Sequence, residues 1–241
     1  GSLYRLNIEP DFVTPDSDWS AYKLLLVPPL YSAPDSALEK LARWIEQGGR
    51  ALVSFKSGFA NEHATVRHQM APGPLRKAAG FRYHEFSNLA SPVPLKTALA
   101  AQASASVWAE FLLLESAQAL ASYEHPFFGR FPAVTRNRHG QGTLTYLGTH
   151  VSNNLMDALL AAELKAAALD SPDQALPAAV RVRHGRNARG RQLHYYLNFS
   201  GESRTFTYPY AAAVDLLSGR PAARGAALSL GPWDLVILAE N

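Results

Sequence analysis

Five glutamates, Glu62, Glu85, Glu110, Glu115 and Glu124, are the side chains whose type and position could supply a pair of carboxylates. Such pairs act as general acid and nucleophile or base in glycoside hydrolysis, where both groups must be held at a fixed separation. The scaffold that usually holds them, an eight-stranded barrel, takes ~250 residues by itself. The chain has 241 residues and a pattern of elements that leaves no room for one, so none of the five is read as catalytic. His63 and His68 stand five apart beside Glu62, which reads as a polar surface loop. A metal site would want closer helical spacing and a third ligand. His184 and His194 flank a basic turn and are placed to pair across a hairpin, which needs no metal. There are no cysteines, which excludes disulfides, thiolate metal sites and a cysteine nucleophile. No cofactor is expected.

Other familiar chemistries fail on context. Gly140-Gln141-Gly142 reads as a hairpin turn and opens no helix, so it is not a phosphate cradle. The basic stretch of Arg181, Arg183, Arg186, Arg189 and Arg191 is interrupted by Gly185, Asn187 and Gly190. It reads as a solvated hairpin and not as a nucleic-acid stripe. Trp19, Trp44, Trp108 and Trp233 are dispersed, as core or interface residues are, rather than gathered as a sugar platform. One loop stands out: residues 55–62 (FKSGFANE) directly follow a buried strand. Ligands and partners of open α/β sheets sit beyond the C-terminal ends of strands. The loop therefore reads equally as a contact surface anchored by Lys56 and Glu62, or as a solvated connection.

These residues need elements to position them. Residues 23–28 form a short apolar run, expected of a strand covered on both faces. A helix follows, in which Ser36 and Glu39 have capping-box spacing and Leu38, Leu41 and Ile45 share a face. Gly48-Gly49 ends it, and residues 51–55 give the next strand. Strand, helix, strand is a βαβ unit, so an α/β fold is predicted. Strands are predicted at 81–86, 107–114 and 120–123, a hairpin at 133–148, and a helix over 153–169 with Ser152 as its cap. Pro172 and Pro177 mark a boundary, and residues 178–241 alternate with a period of two, as in a small antiparallel β domain. Apolar residues make up 47% of the chain and charged residues 18%, with a net charge of +3, as in a globular protein. No apolar run is long enough for a membrane helix.

The stretches 22–31 (YKLLLVPPLY), 38–49, 51–58 (ALVSFKSG), Asn61-Glu62 and 72–75 (PGPL) resemble the middle, trimerisation domain of glycoside hydrolase family 42 β-galactosidases. Residues 132–142 (PAVTRNRHGQG) and 146–149 (YLGT) resemble the late hairpin of that domain. Residues 196–200 (YLNFS) and 215–219 (DLLSG) are similar to the small β domain that ends many of these enzymes. The resemblance implies residues 1–172 as a glutamine-amidotransferase-like (flavodoxin-like) domain with a mostly parallel sheet, and residues 178–241 as the small β domain. It implies a non-catalytic region of an enzyme that hydrolyses terminal β-D-galactosides with retention on a separate barrel, so this chain alone should be inactive. It further implies a homotrimer, with Lys56, Ser57, Asn61 and Glu62 as part of the contact. The resemblance also implies the barrel as a partner and the bacterial cytoplasm as the location, and neither nucleic acid nor membrane is expected as a partner.

Gly1-Ser2 reads as an appended remnant, residues 3–6 as the tail of a first helix and residues 10–14 as the second strand of that domain. On this reading a first strand is missing beside residues 24–27. Its place would be closed by a segment of this chain, a neighbouring copy or a retained piece. Two other functions fit parts of the sequence: an amidotransferase-like hydrolase, which lacks its usual cysteine, and a carbohydrate-binding module on the C-terminal β domain.

Overall fold

The βαβ unit forms as its pattern requires. A computed structural model describes residues 1–241. Helical turn α1 (Ser2–Arg5) is followed by β1 (Leu24–Val27), α2 (Asp35–Glu46) and β2 (Arg50–Ser54). β1 and β2 are parallel, with Leu24 opposite Arg50 and Val27 opposite Val53. Leu38, Leu41 and Ile45 of α2 are buried against this pair. The helix is preceded by Pro34 and has no side-chain cap, so the spacing of Ser36 and Glu39 does not act as a capping box. Its end does follow the glycines: Gly48 N–H donates to Ile45 O (2.9 Å) and Gly49 N–H to Trp44 O (3.1 Å), with Gly48 at φ 119°.

After β2 the expected parallel sheet does not continue. The short helix α3 (Arg76–Ala79) leads to β3 (Phe81–Arg82), β4 (Phe86–Lys96), β5 (Ser104–Glu110), β6 (Leu113–Leu114) and β7 (Gln118–Tyr123). Then come β8 (Pro132–His139), β9 (Gly142–Leu147), β10 (Thr149–Val151) and α4 (Asn153–Ala166). Eight strands make one sheet in the order β1-β2-β9-β8-β7-β4-β5-β10. Only the pairs β1–β2 and β2–β9 are parallel. The pairs β9–β8, β8–β7, β7–β4, β4–β5 and β5–β10 are antiparallel. The flavodoxin-like, mostly parallel α/β class is thus incorrect: this unit is mostly β with a mixed sheet. The reason is connection length. β8 and β9 are joined through Gly140-Gln141, with Gly140 at φ 57° and His139 paired to Gly142. A two-residue turn closes a hairpin, whereas a parallel crossover needs a dozen residues or more. Beyond α2, only α4 is long enough to cover a face, and Leu155, Leu159, Leu160 and Leu164 are its buried residues. Ser152 precedes α4, but its hydroxyl bonds Asn154 Oδ1 and the Ser104 N–H instead of capping the helix.

β1 is an edge strand, and no strand of this chain pairs with its outer side. Residues 11–14 form no strand, and Phe12 is 97% exposed, so the predicted second strand is absent.

Contacts divide the chain into Phe12–Leu169 and a second unit of Gly1–Asp11 with Asp170–Asn241. The first eleven residues, read from sequence with the first domain, therefore pack with the last: Asn7 Nδ2 donates to Asp173 O (3.0 Å), and Val182 N–H donates to Asn7 Oδ1 (3.2 Å). This C-terminal unit has β11 (Val180–Arg186), β12 (Gln192–Asn198), β13 (Arg204–Thr207), β14 (Ala213–Asp215), β15 (Pro221–Ala222), β16 (Ala227–Leu230) and β17 (Leu235–Glu240). The orders are β11-β12-β17-β14-β15 and β13-β16, all antiparallel. Val180, Val182, Tyr196, Phe206, Tyr208 and Leu238 form its core.

Candidate functional site

The loop after β2 is held from below by a buried carboxylate. Glu110, at the end of β5, is fully buried. Its Oε1 accepts from the Lys56 N–H (2.7 Å) and from Trp108 Nε1 (3.2 Å), and its Oε2 accepts from the Tyr146 hydroxyl (2.9 Å). Burial pushes the Glu110 carboxyl up to about 7, while these three donors pull it the other way. Lys56 sits at φ 62°, a left-handed conformation uncommon for a residue with a β-carbon. The bond to Glu110 helps fix it there.

The loops after β1 and β2 are tied together. Gly58 N–H donates to Leu30 O (2.9 Å) and Ala60 N–H to Tyr31 O (2.8 Å). Arg67, whose side chain is nearly buried, donates to Ala33 O (2.7 Å), to Asp35 Oδ1 (2.7 Å) and to Ala60 O. This braced end of the sheet presents a row of rings. Tyr31 stacks on Phe59 at 5.5 Å, Phe59 meets Phe86 edge-on at 5.6 Å, and Phe86 stacks on Trp108 at 4.5 Å. Lys56 Nζ lies 3.8 Å over the Trp108 ring. Tyr31 is 40% exposed and Phe86 42%, and the adjoining Val107 is 62% exposed at φ 70°, a rare conformation for a β-branched residue.

The four contact residues read from sequence take different places here. Lys56 joins the ring row. Ser57 is buried: its hydroxyl donates to Ser54 O (2.7 Å) and accepts from the Leu30 N–H (3.1 Å), which makes it a brace between loops. Asn61 Oδ1 accepts from the N–H groups of His63 and Thr65 (both 3.0 Å), shaping the turn. Glu62 is exposed, with His63 Nε2 at 3.9 Å. Sequence reasoning missed Tyr31, Phe59 and Phe86, which are far apart in the chain and meet only when β1, β2 and β4 are assembled. It set Glu110 among the carboxylates without a role. The nearest thing to a signal was Trp108 and Glu110 standing two apart in a strand, where both must share a face.

Residues 1–170 match the family model described as the β-galactosidase trimerisation domain. The chain belongs to this family. Among curated proteins, it is 35% identical over 159 residues to β-galactosidase BgaB of a Geobacillus strain, covering 66% of this chain and 24% of that protein. It is 31% identical to β-galactosidase LacZ of Heyndrickxia coagulans over 98% of this chain and 35% of that protein. A solved β-galactosidase from Bacillus circulans sp. alkalophilus superposes with a TM-score of 0.89 at 24% identity, over 100% of this chain and 36% of the other. The cold-adapted β-galactosidase of Rahnella sp. R3 gives 0.86 at 26% identity, over 99% and 35%. As a trimerisation-family chain it spans about a quarter to a third of these relatives' lengths, which agrees with a non-catalytic region. No helix is long and apolar enough to cross a membrane.

Proposed function

We propose that this chain is the part of a β-galactosidase that joins copies of the enzyme into a homotrimer, the hydrolysis of terminal β-galactosides being carried by a barrel outside it. The observation that supports the self-association reading is the ring row of Tyr31, Phe59 and Phe86 on its braced loops. Interface hot spots are aromatic anchors in rigid surroundings, because a pre-organised group loses little entropy on docking. A stable interface buries at least ~1,000 Å² in total, so the row would form its centre, with Lys56, Asn61 and Glu62 at the rim. In a cyclic trimer each contact joins two different patches, so the row meets a different surface of the neighbouring copy.

The row can be tested without disturbing the core. The Tyr31→Ala/Phe86→Ala double variant is expected to weaken self-association at least ~10-fold in sedimentation velocity. Trp233→Ala, which removes a 70% exposed ring of the C-terminal unit, should leave it unchanged. Equal sedimentation of both variants and wild type in an assembling protein would place the contact elsewhere.

The chain alone is expected to leave a chromogenic β-galactoside intact. Retaining hydrolysis uses two carboxyl groups ~5 Å apart in a substrate-binding site. Turnover that persists through purification and is lost when Glu62, Glu85, Glu110, Glu115 or Glu124 is replaced would overturn the non-catalytic reading.

A further inference from the structure

The C-terminal unit contains a continuous chain of four titratable side chains. His184 of β11 and His194 of β12 are directly opposite each other in the antiparallel register, the cross-hairpin pair expected from the sequence. Their Nδ1 atoms are 2.8 Å apart. His184 Nε2 lies 2.9 Å from Asp173 Oδ2, in the 3-10 turn Pro172–Ala175, and His194 Nε2 lies 3.0 Å from Glu240 Oε1, at the end of β17. The His194 side chain is 2% exposed and that of Asp173 5%, while His184 (31%) and Glu240 (25%) reach solvent.

Counting protons fixes what the chain can hold. Each of its three links needs one hydrogen. Two neutral imidazoles bring two, and these satisfy the carboxylates. The Nδ1–Nδ1 link then needs a third, without which two lone pairs face each other at hydrogen-bond distance. A fourth proton would set two N–H groups against each other. The third proton lies between the two Nδ1 atoms, and burial disfavours charge on the His194 ring. Hydrogen bonds from His184 and Tyr210 hold Asp173 ionised against its burial.

The groups facing the pair are Asp173, Glu240, Tyr208 and Tyr210. Tyr210 stacks on His194 at 4.3 Å and meets His184 edge-on at 5.3 Å, and Tyr208 meets His194 edge-on at 5.9 Å. Arg191 donates to the main-chain oxygens of Ala239 and Glu240 and takes no part in the proton count.

We propose that His184 and His194 share one exchangeable proton that locks β11, β12, β17 and the 3-10 turn of the C-terminal unit together, so that this unit tightens at intermediate pH and loosens on either side. The linkage has a definite sign. The locked arrangement holds one proton more than the same unit with two neutral rings apart, so raising the pH opens it. It holds one fewer than two imidazolium rings, so strong acid opens it as well.

The test uses the whole chain. Nitrogen-15 NMR of the two rings should show the pair gaining a single proton between pH 9 and 6, shared across both Nδ1 atoms. Amide exchange along β11 and β12, corrected for intrinsic rates, should show protection that falls about 10-fold from its maximum as the pH is raised, the scale of one hydrogen bond to a charged group. In His184→Phe, which keeps a ring beside Tyr210 and removes the shared proton, the profile should be flat. If that variant does not fold, the ring titration of wild type still decides. Two rings that each take up a proton independently, or wild-type protection that does not change with pH, would overturn the proposal.

Discussion

Gly142→Ala is expected to cost more than ~4 kcal/mol, a large share of the stability of the Phe12–Leu169 unit. An alanine β-carbon there would lie 2.0 Å from Ile45 O and 2.2 Å from Gly49 O. Both are main-chain atoms with commitments: Ile45 O accepts from the Gly48 N–H, and Gly49 O accepts from the Thr143 N–H at 3.1 Å. Moving them would unseat the end of α2 from the sheet and part β2 from β9. Forced overpacking of this kind is among the few single changes that exceed 4 kcal/mol, against a total stability of ~5–15 kcal/mol. Gly190→Ala is the contrast. Gly190 has a positive φ of 78° but nothing within 4 Å, so only about 1 kcal/mol of backbone strain is expected. Urea titrations of both variants check this. A Gly142→Ala loss below ~1 kcal/mol would mean that α2 does not approach the sheet as closely as described.

Glu110 should make the N-terminal unit less stable as pH rises. Its carboxyl is raised from 4.5 to about 7, mainly by burial. Between those values the folded protein holds a proton that the unfolded chain has released, so stability falls with increasing pH across the window. At ~1.4 kcal/mol per unit, the contribution lost is about 3 kcal/mol by pH 8. Glu110→Gln keeps the shape and an acceptor for Lys56 N–H and Trp108 Nε1, and it does not titrate. The stability difference between this variant and wild type should therefore move by about 3 kcal/mol in favour of glutamine from pH 4.5 to 8, since other groups cancel in the difference. Parallel curves would show that Glu110 is not buried as a neutral acid. The Lys56 loop hangs on this carboxyl, so the surface above it should respond over the same range.

Parts of this architecture were plain in the sequence for physical reasons. The α2 stripe of Leu38, Leu41 and Ile45, the glycine stop at Gly48-Gly49 and the turn at Gly140-Gln141 are local patterns, and local sterics and burial decide them. The sheet's direction was not legible. A strand–helix–strand start allows either a parallel continuation or a switch to hairpins, and the switch is set by which later strands find each other. β9 ends up beside β2, with Leu52 opposite Thr145, 93 residues further along the chain, a relation no window could display. In β12 the alternation was visible, but the alternating set His194, Tyr196 and Asn198 is buried, while of the opposite set Leu193 is buried and Tyr195 and Leu197 are only half-buried. Asn198 and His194 can face inward there because they find partners: Asn198 Nδ2 donates to Glu202 O (2.8 Å) and Gly231 O (2.7 Å), and His194 bonds His184 and Glu240. Of the proposed contact, the loop at 56–62 was legible because it follows a buried strand. The rings of Tyr31 and Phe86 were not, since they meet Phe59 of that loop only in three dimensions.

The most direct test of the self-association reading is sedimentation equilibrium of the unaltered chain over a concentration series reaching high micromolar. A species of three times the 26.2 kDa chain mass, in reversible exchange with monomer, is the expected result. A single monomeric species at every concentration would contradict it.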